Sequence, residues 1–377
     1  DGIVTLDAGT GCVHTAPSFG LDDFYVCQRY DTIPTDVEME VSVNARGVLN
    51  EFAGPYAGLH VTKAHPVIFQ DLADMGAILS NKDIVHSYPH CWRCKKPIIF
   101  RATQQWFASV DAIKEAAVAA CDDIQWKPEW GKERMVSMIR ERSDWCISRQ
   151  RTWGVPIPIF FCKDCGKPYC TNDSIAKVAD IFRVEGSNAW WAKDAAELMP
   201  EGAQCACGCT QFTKETDIMD VWFDSGSTWA AVCDQNHEHP ELSYPTDLYL
   251  EGGDQYRGWF QSSMLTSIAA RGVAPYRQIV THGWTVDGKG KAMHKSLGNT
   301  VAPQDIIKDY GADILRLWVS SADYTQDMRI SKPILKQLSD AYLKIRNTSR
   351  YILGNLKGFD PATDLVGYQD LMELDQW

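Results

Sequence analysis

What the sequence lacks narrows the field first. The longest largely apolar run, residues 153–162, contains two prolines and falls far short of the roughly 20 residues that cross a bilayer. Basic residues are the minority, 37 Lys and Arg against 49 Asp and Glu, for a net charge of −12. That excludes an overall nucleic-acid-binding coat but leaves room for a local basic surface. Glycine (27) and proline (17) are near average, which excludes collagen-like and low-complexity chains. No internal repeat is visible, and the Gly- and Thr-rich opening does not read as a signal peptide. Position 1 is Asp rather than Met, so the sequence is expected to start inside a longer protein.

What is present is ordinary for a globular enzyme: 377 residues, 45% hydrophobic and 23% charged, enough for two or three domains. Thirteen cysteines cannot all pair, and they point to a reducing, cytoplasmic setting and to metal rather than a disulfide framework. Residues 1–105 read as short strands (3–6, 37–43, 59–61) between turns, with one helix at 66–75 stopped by Gly76. Helices are expected at 114–120 and 132–142, and a turn-rich inserted module between Cys162 and Cys209. From 247 the pattern becomes strand (247–251), helix (254–270), strand (278–282), the alternation of a parallel sheet. A final helix should bury Leu335, Leu338, Tyr342, Ile345, Ile352 and Leu356 on one face, capped by Ser331 and stopped by Gly358.

Cys162-Lys-Asp-Cys165-Gly and Cys205-Ala-Cys207-Gly make a four-thiolate Zn2+ site plausible. Cys209 competes with Cys207 for the fourth place; Cys207 is favoured because Gly208 then mirrors Gly166. The bland alternative is reduced, buried cysteines without metal. Cys91-Trp-Arg-Cys94 is a second knuckle with no partner pair, and Pro89 keeps His86 and His90 off one helical face. A metal there would need ligands from outside the chain.

Residues 288–300, Gly-Lys-Gly-Lys-Ala-Met-His-Lys-Ser-Leu-Gly-Asn-Thr, form a Gly-flanked loop whose lysines suit a moving polyphosphate. The core, 292–296, resembles the Lys-Met-Ser-Lys-Ser loop of class I aminoacyl-tRNA synthetases. It keeps the second Lys and last Ser as Lys295 and Ser296 but carries Ala292 and His294 at two other positions. Lys291 is a neighbouring source for the missing first charge. Asp220-Val-Trp-Phe-Asp-Ser-Gly226, Tyr249-Leu-Glu-Gly-Gly-Asp-Gln-Tyr-Arg-Gly-Trp-Phe260 and Thr281-His-Gly-Trp284 look like the isoleucyl-tRNA synthetase family. So do Ser148-Arg-Gln-Arg-Thr-Trp-Gly154, Tyr310-Gly-Ala-Asp-Ile-Leu-Arg-Leu-Trp318, Ile345-Arg-Asn-Thr348 and Gly9-Thr-Gly-Cys-Val-His-Thr-Ala-Pro17 with Asp22-Asp23. The resemblance covers essentially the whole chain.

The resemblance implies an α/β fold: a Rossmann-type parallel-sheet catalytic half, a β-rich editing-domain portion, a zinc-ribbon insert and an α-helical stem. Residues 1–105 would be the C-terminal part of the editing barrel. Residues 106–330 would be the second half of the catalytic domain, with the insert at about 160–212, and residues 331–377 the start of the stem-contact and anticodon-binding domain. By the same resemblance Glu251, Gly252, Asp254, Gln255, Trp222 and His282 hold the aminoacyl-adenylate. Lys295 and Ser296 act on ATP, and Thr10, His14 and Asp23 line the editing pocket. The expected activity is ligation of L-isoleucine to tRNA(Ile) with ATP and Mg2+, with hydrolytic editing of valine. One methylene separates the two amino acids by only about 1–3 kcal/mol, so binding alone discriminates poorly. The full-length enzyme is expected to be a monomer with no membrane association. The class's His-Ile-Gly-His-like run is missing, so the chain alone is expected to be inactive in aminoacylation. Two alternatives are a valyl or other branched-chain synthetase, and a non-catalytic zinc-stabilised tRNA-binding module.

Overall fold

The structure, a computed structural model, describes residues 4–5, 7, 10–32, 41–91, 94–234 and 239–377, apart from the Ser296 side chain. Two units divide the chain, Asp1–Gln105 and Trp106–Trp377.

In the first unit, α1 (Leu21–Arg29) follows Gly20 with Asp22 and Asp23 in its first turn and Arg29 in its last, charges that suit the helix dipole. The sequence pattern did not signal this helix, because no residue of it is buried. α2 (Val61–Asp74) starts earlier than residue 66, since His60 caps it: Nδ1 accepts from the Thr62 amide at 3.3 Å. The strand expected at 59–61 is therefore a helix entry, and His60 makes only an isolated bridge to Val48. Gly76 closes α2 at φ +68°, a conformation that strains other residues. Most of the strands expected at 3–6 and 37–43 lies outside the described residues; Val43 bridges Leu49.

The second unit is built on three parallel strands. Helix α3 (Asp111–Ala120) leads to β1 (Gln125–Lys127) and then α4 (Trp130–Arg140), whose Gly131, Met135 and Ile139 repeat every four residues and are all buried. The inserted module follows. In it Phe160–Cys162 pairs antiparallel with both Pro168–Tyr169 and Phe212–Lys214. Between them lies α5 (Asn172–Glu185), set by a capping box of Thr171 and Ser174. The module is thus more than turns; a short stripe of Val178, Ile181 and Phe182 packs α5 onto Phe160 and Trp190.

Past the module come α6 (Val221–Gly226), capped by Asp220, and β2 (Tyr249–Gly252). The single helix expected at 254–270 is two elements, a tight turn at Gly253–Tyr256 and α7 (Trp259–Arg271). Gly258 is non-helical at φ −111°, ψ −120°, and the Gln255 side chain restarts the helix by accepting from the Trp259 amide at 2.9 Å. β3 (Gln278–His282) lies between β1 and β2, parallel to both, so the strand-helix-strand pattern holds. Met135, Ile139, Tyr256, Phe260, Met264 and Ile279 are fully buried against this sheet. Each such side chain contributes roughly 1.5–3 kcal/mol of burial.

Gly283 then turns the chain into β4 (Thr285–Asp287), followed by α8 (Pro303–Tyr310), α9 (Ala312–Ser321), β5 (Met328–Ile330) and α10 (Lys332–Asn355). β4 and β5 are parallel partners. Ile306, Ile314, Trp318, Ile330 and Leu335 form a second core, on which Leu338 and Tyr342 also pack. The expected apolar stripe of α10 is buried only in this first half: Ile345 is 62% exposed, and Ile352 and Leu356 are exposed too. Ser331 stands at the helix start without a side-chain cap, and the helix ends at Asn355, ahead of Gly358.

A Cβ on Gly283 would overlap the Gln326 backbone and lie 2.6 Å from the Asp327 nitrogen. Backbone cannot rotate away. Gly283→Ala is therefore expected to cost about 1–3 kcal/mol, read as a lower urea midpoint at unchanged slope. An unchanged midpoint would show that this crossing yields freely.

Candidate functional site

Because β2 and β3 are in register, with Glu251 opposite Thr281 and Gly252 opposite His282, both strands stop on one line. Ligands of open parallel sheets bind at this carboxyl edge. The point where a Gly252 Cβ would stand is 3.0 Å from Asp254 Oδ1, 3.5 Å from His282 Cε1 and 3.6 Å from Trp284. Glycine leaves that space open. A second meeting point is Gly258, where a Cβ would overlap Gln255 Oε1 and sit 3.0 Å from the Trp222 ring. The structure therefore brings Gly252, Asp254 and His282 together, and Gln255 with Trp222, while Glu251 stands half-buried on the same strand end.

Several of these side chains already have internal partners. Gln255 Nε2 donates to Asp254 Oδ2 at 3.1 Å, and the His282 Nδ1 lies 2.8 Å from the Gly283 carbonyl. Trp222 is 41% exposed, so it is not ordinary core. Asp220, part of a quoted motif but given no role there, turns out to be a hub. Its buried carboxylate accepts from Trp145 Nε1 at 2.9 Å and the Trp222 amide at 3.3 Å, and pairs with Arg149 at 3.1 Å. An acid immediately before a helix is the available sequence signal for that capping role.

The loop after β4 is held at its base. Asp287 Oδ1 accepts from the Lys289 and Lys291 amides, both at 2.9 Å, and Oδ2 from Asn299 Nδ2 at 3.0 Å. Asn299 returns the connection, accepting from the His294 amide at 2.9 Å and donating to the Ala292 carbonyl at 3.1 Å. The Asn299 amide, then the Lys291 amide, hold the Asp287 carboxyl below its ordinary pKa. Lys291 and Lys295 stay exposed, and neither forms an ion pair among the described residues. Lys295 and Ser296 begin a short turn, Lys295–Leu297, with no hydrogen bond to the strand-edge residues among those described. Asp287-Gly288 is a turn signal in the sequence, but the reach to Asn299 is not visible there.

The four cysteines converge. Sγ atoms of Cys162, Cys165, Cys205 and Cys207 all lie within 4.8 Å of one another, with Cys162–Cys207 at 3.5 Å and Cys165–Cys205 at 3.6 Å. Ligands at about 2.3 Å on a tetrahedron are separated by roughly 3.8 Å, so the set matches a single Zn2+. Cys209 is not one of that set, and its Sγ donates to the Gln211 carbonyl at 3.4 Å. The Cys165 amide chiefly, with the Asp164 amide, lowers the Cys162 thiol to about 6.

Two backbone hydrogen bonds at Cys91 match two at Cys162. Cys91 N donates to Lys96 O and Lys95 N to Cys91 O, both at 2.8 Å; Cys162 N to Lys167 O and Gly166 N to Cys162 O are both 3.0 Å. His86 and His90 bond neighbouring carbonyls instead, and no three-ligand cluster forms there among the described residues. In the first unit, Thr10 and His14 are exposed. Asp23 reaches back over its helix start, its Oδ2 2.5 Å from a Gly20 Cβ position. No hydrogen bond or ion pair joins Thr10, His14 and Asp23 among the described residues.

A family model, "tRNA synthetases class I (I, L, M and V)", matches residues 25–331. The chain belongs to the class I tRNA synthetases. It is 56% identical, over 99% of its length, to the isoleucine–tRNA ligase of Caldanaerobacter subterraneus subsp. tengcongensis, of which it covers 39%. It is 57% identical, over 99% of its length, to that of Caldicellulosiruptor bescii, covering 40%. The chain thus spans about two fifths of the curated ligases it matches. No described helix of this synthetase chain is long and apolar enough to cross a membrane.

A cleft of about 640 Å³ is lined by Arg149, Arg151, Trp153, Trp191, Asp220 and Asp224 among others. Burial, with the Asp220 charge adding, pushes the Asp224 carboxyl up to about 6. The folded state therefore holds that proton more tightly than the unfolded chain does. Its ionisation opposes folding increasingly from about pH 4 to about pH 6, and by a constant amount above. Asp224→Asn is expected to gain stability over the parent across that window and then level off, in thermal midpoints measured from pH 4 to 7. A pH-independent difference would contradict the shift.

Proposed function

We propose that the chain supplies the second half of the catalytic domain of an isoleucine–tRNA ligase. In this reading Glu251, Gly252, Asp254, Gln255, Trp222 and His282 hold isoleucyl-adenylate at the β2–β3 edge. The supporting observation is that Gly252, Asp254 and His282 meet where two parallel strands stop in register, with Gln255 of the following turn against Trp222 and a tethered, lysine-tipped loop after β4. Identity of 56–57% to isoleucine–tRNA ligases favours isoleucine over the other branched-chain substrates.

The chemistry then follows from charge. An isoleucine carboxylate oxygen attacks the α-phosphorus of ATP, the bond to the bridging oxygen breaks, and pyrophosphate leaves carrying the charge. Positioning and electrostatic stabilisation do most of that work. Lys295, exposed and without an ion-pair partner among the described residues, meets the leaving pyrophosphate, and Ser296 beside it contacts the same phosphates. Mg2+, when bound with ATP, neutralises phosphate charge. A 3′-terminal hydroxyl of tRNA(Ile) next attacks the acyl carbon and AMP leaves. Thr10, His14 and Asp23 are assigned to hydrolytic editing of valyl products.

Lys295→Ala is expected to lower isoleucine-dependent ATP–pyrophosphate exchange by about 10²–10³-fold, as loss of one transition-state charge partner typically does. The assay uses a chimaera in which this chain replaces the matching segment of one of the curated ligases. Exchange that survives the substitution, with the unsubstituted chimaera active, would favour a tRNA-binding role without catalysis.

Cys162, Cys165, Cys205 and Cys207 are assigned as structural Zn2+ ligands, since four thiolates leave no open coordination position. Metal analysis is expected to give one zinc per chain, lost in Cys205→Ser and retained in Cys209→Ser. Loss in both would move the fourth ligand to Cys209.

A further inference from the structure

The catalytic assignment above leaves Arg134, close to the end of β2, without a task. Arg134 lies on α4, one turn after Gly131. A Cβ at Gly131 would overlap the Tyr256 hydroxyl, so only glycine lets the helix come this close to the sheet. That approach sets Arg134 over two rings at once, its guanidinium carbon 5.8 Å from the Trp130 centroid and 5.4 Å from that of Tyr256. Tyr256 is itself held, its hydroxyl 2.9 Å from Thr281 Oγ1 on β3. The guanidinium is thereby stacked on a rigid floor. Its Nη1 lies 3.8 Å from where a Gly253 Cβ would stand, at the end of β2.

Two facts give this arrangement chemical direction. Arg134 is exposed, and it has no hydrogen-bond acceptor or ion-pair partner among the described residues. Its neighbours at the strand end, Glu251 and Asp254, are acids that carry no phosphate affinity of their own. A guanidinium set beside two aromatic rings keeps its N–H groups for an anion, and the fork geometry matches a phosphate.

We propose that Arg134 is a phosphate-binding residue at the rim of the β2–β3 edge. This rests on the adenylate site proposed above and adds a contact to it. The phosphate comes either from the adenylate nucleotide or from the RNA backbone near the 3′ end, and the two sources are separable.

The test measures binding to this chain directly. The probes are AMP, by calorimetry, and a fluorescently labelled RNA hairpin ending in single-stranded CCA, by anisotropy. Arg134→Gln removes the charge, and Arg134→Lys keeps it without the fork or the stacking. Circular dichroism and thermal midpoints check that both variants fold. If the nucleotide supplies the phosphate, Arg134→Gln weakens AMP about 10–100-fold and leaves the hairpin unchanged, with Arg134→Lys intermediate. If the RNA supplies it, hairpin binding falls comparably and the slope of log affinity against log salt drops by about 1. Folded variants that bind both probes like the parent overturn the proposal, as does a parent chain that binds neither. Failure of the ligase assignment is seen separately, as an unsubstituted chimaera with no amino-acid-dependent pyrophosphate exchange.

Discussion

Two parallel strands that end in step are the constraint on which the rest of the candidate site depends. Pairing of Gly252 with His282 places a strand end, a tight turn and a histidine within a few ångströms of one another. A shift of one residue along β3 would turn Thr281 and His282 to opposite faces and separate them from the β2 turn. The buried side chains around it, from Met135 and Ile139 on α4 to Phe260 and Met264 on α7, hold that register by packing against the sheet. Glycine then does the local shaping. Gly252 leaves an opening, Gly258 admits two side chains, and Gly131 lets a helix lie close to the sheet. In each case the missing Cβ makes room for a neighbour.

Much of this was legible in the sequence where periodicity and motif agree. The strand at 278–282 and the alternation around it follow from apolar patterning, and the Gly208 that mirrors Gly166 follows the cysteine, Cys207, whose sulfur lies with those of Cys162, Cys165 and Cys205. Elements set by a single side chain were harder. His60 starting α2 and Gln255 restarting a helix after Gly258 are capping events, and residue types alone do not announce them. The unburied α1 gave no apolar stripe to detect. On α10 the stripe was present, yet Ile345, Ile352 and Leu356 remain exposed. Periodicity reports which face is apolar but not whether anything covers it. Asp220, Asn299 and Arg134 were missed for a related reason. A lone polar residue acquires its meaning from what the fold puts opposite it.

The inserted module makes the same point with different chemistry. Its core is small, with Phe160, Trp190, Leu198 and Phe212 among the few large side chains. Two tight turns instead bring four sulfurs to tetrahedral spacing, with Gly166 at φ +68° and Gly208 at φ +93° allowing the chain to reverse. A bound ion would then replace buried area as the source of stability, because a site absent from the unfolded chain converts binding energy into folding energy.

The pairing of β4 with β5 has a mechanical consequence. Asp287, the anchor of the lysine-tipped loop, is in register with Ile330, and α10 begins at Lys332. Gly288 lies so close to Ser331 that a Cβ there would be 2.9 Å from the serine Cβ. The root of the lysine-tipped loop and the foot of a 24-residue helix are therefore one joint. A load applied along that helix is delivered to the loop's hinge, with no flexible linker between them to absorb it.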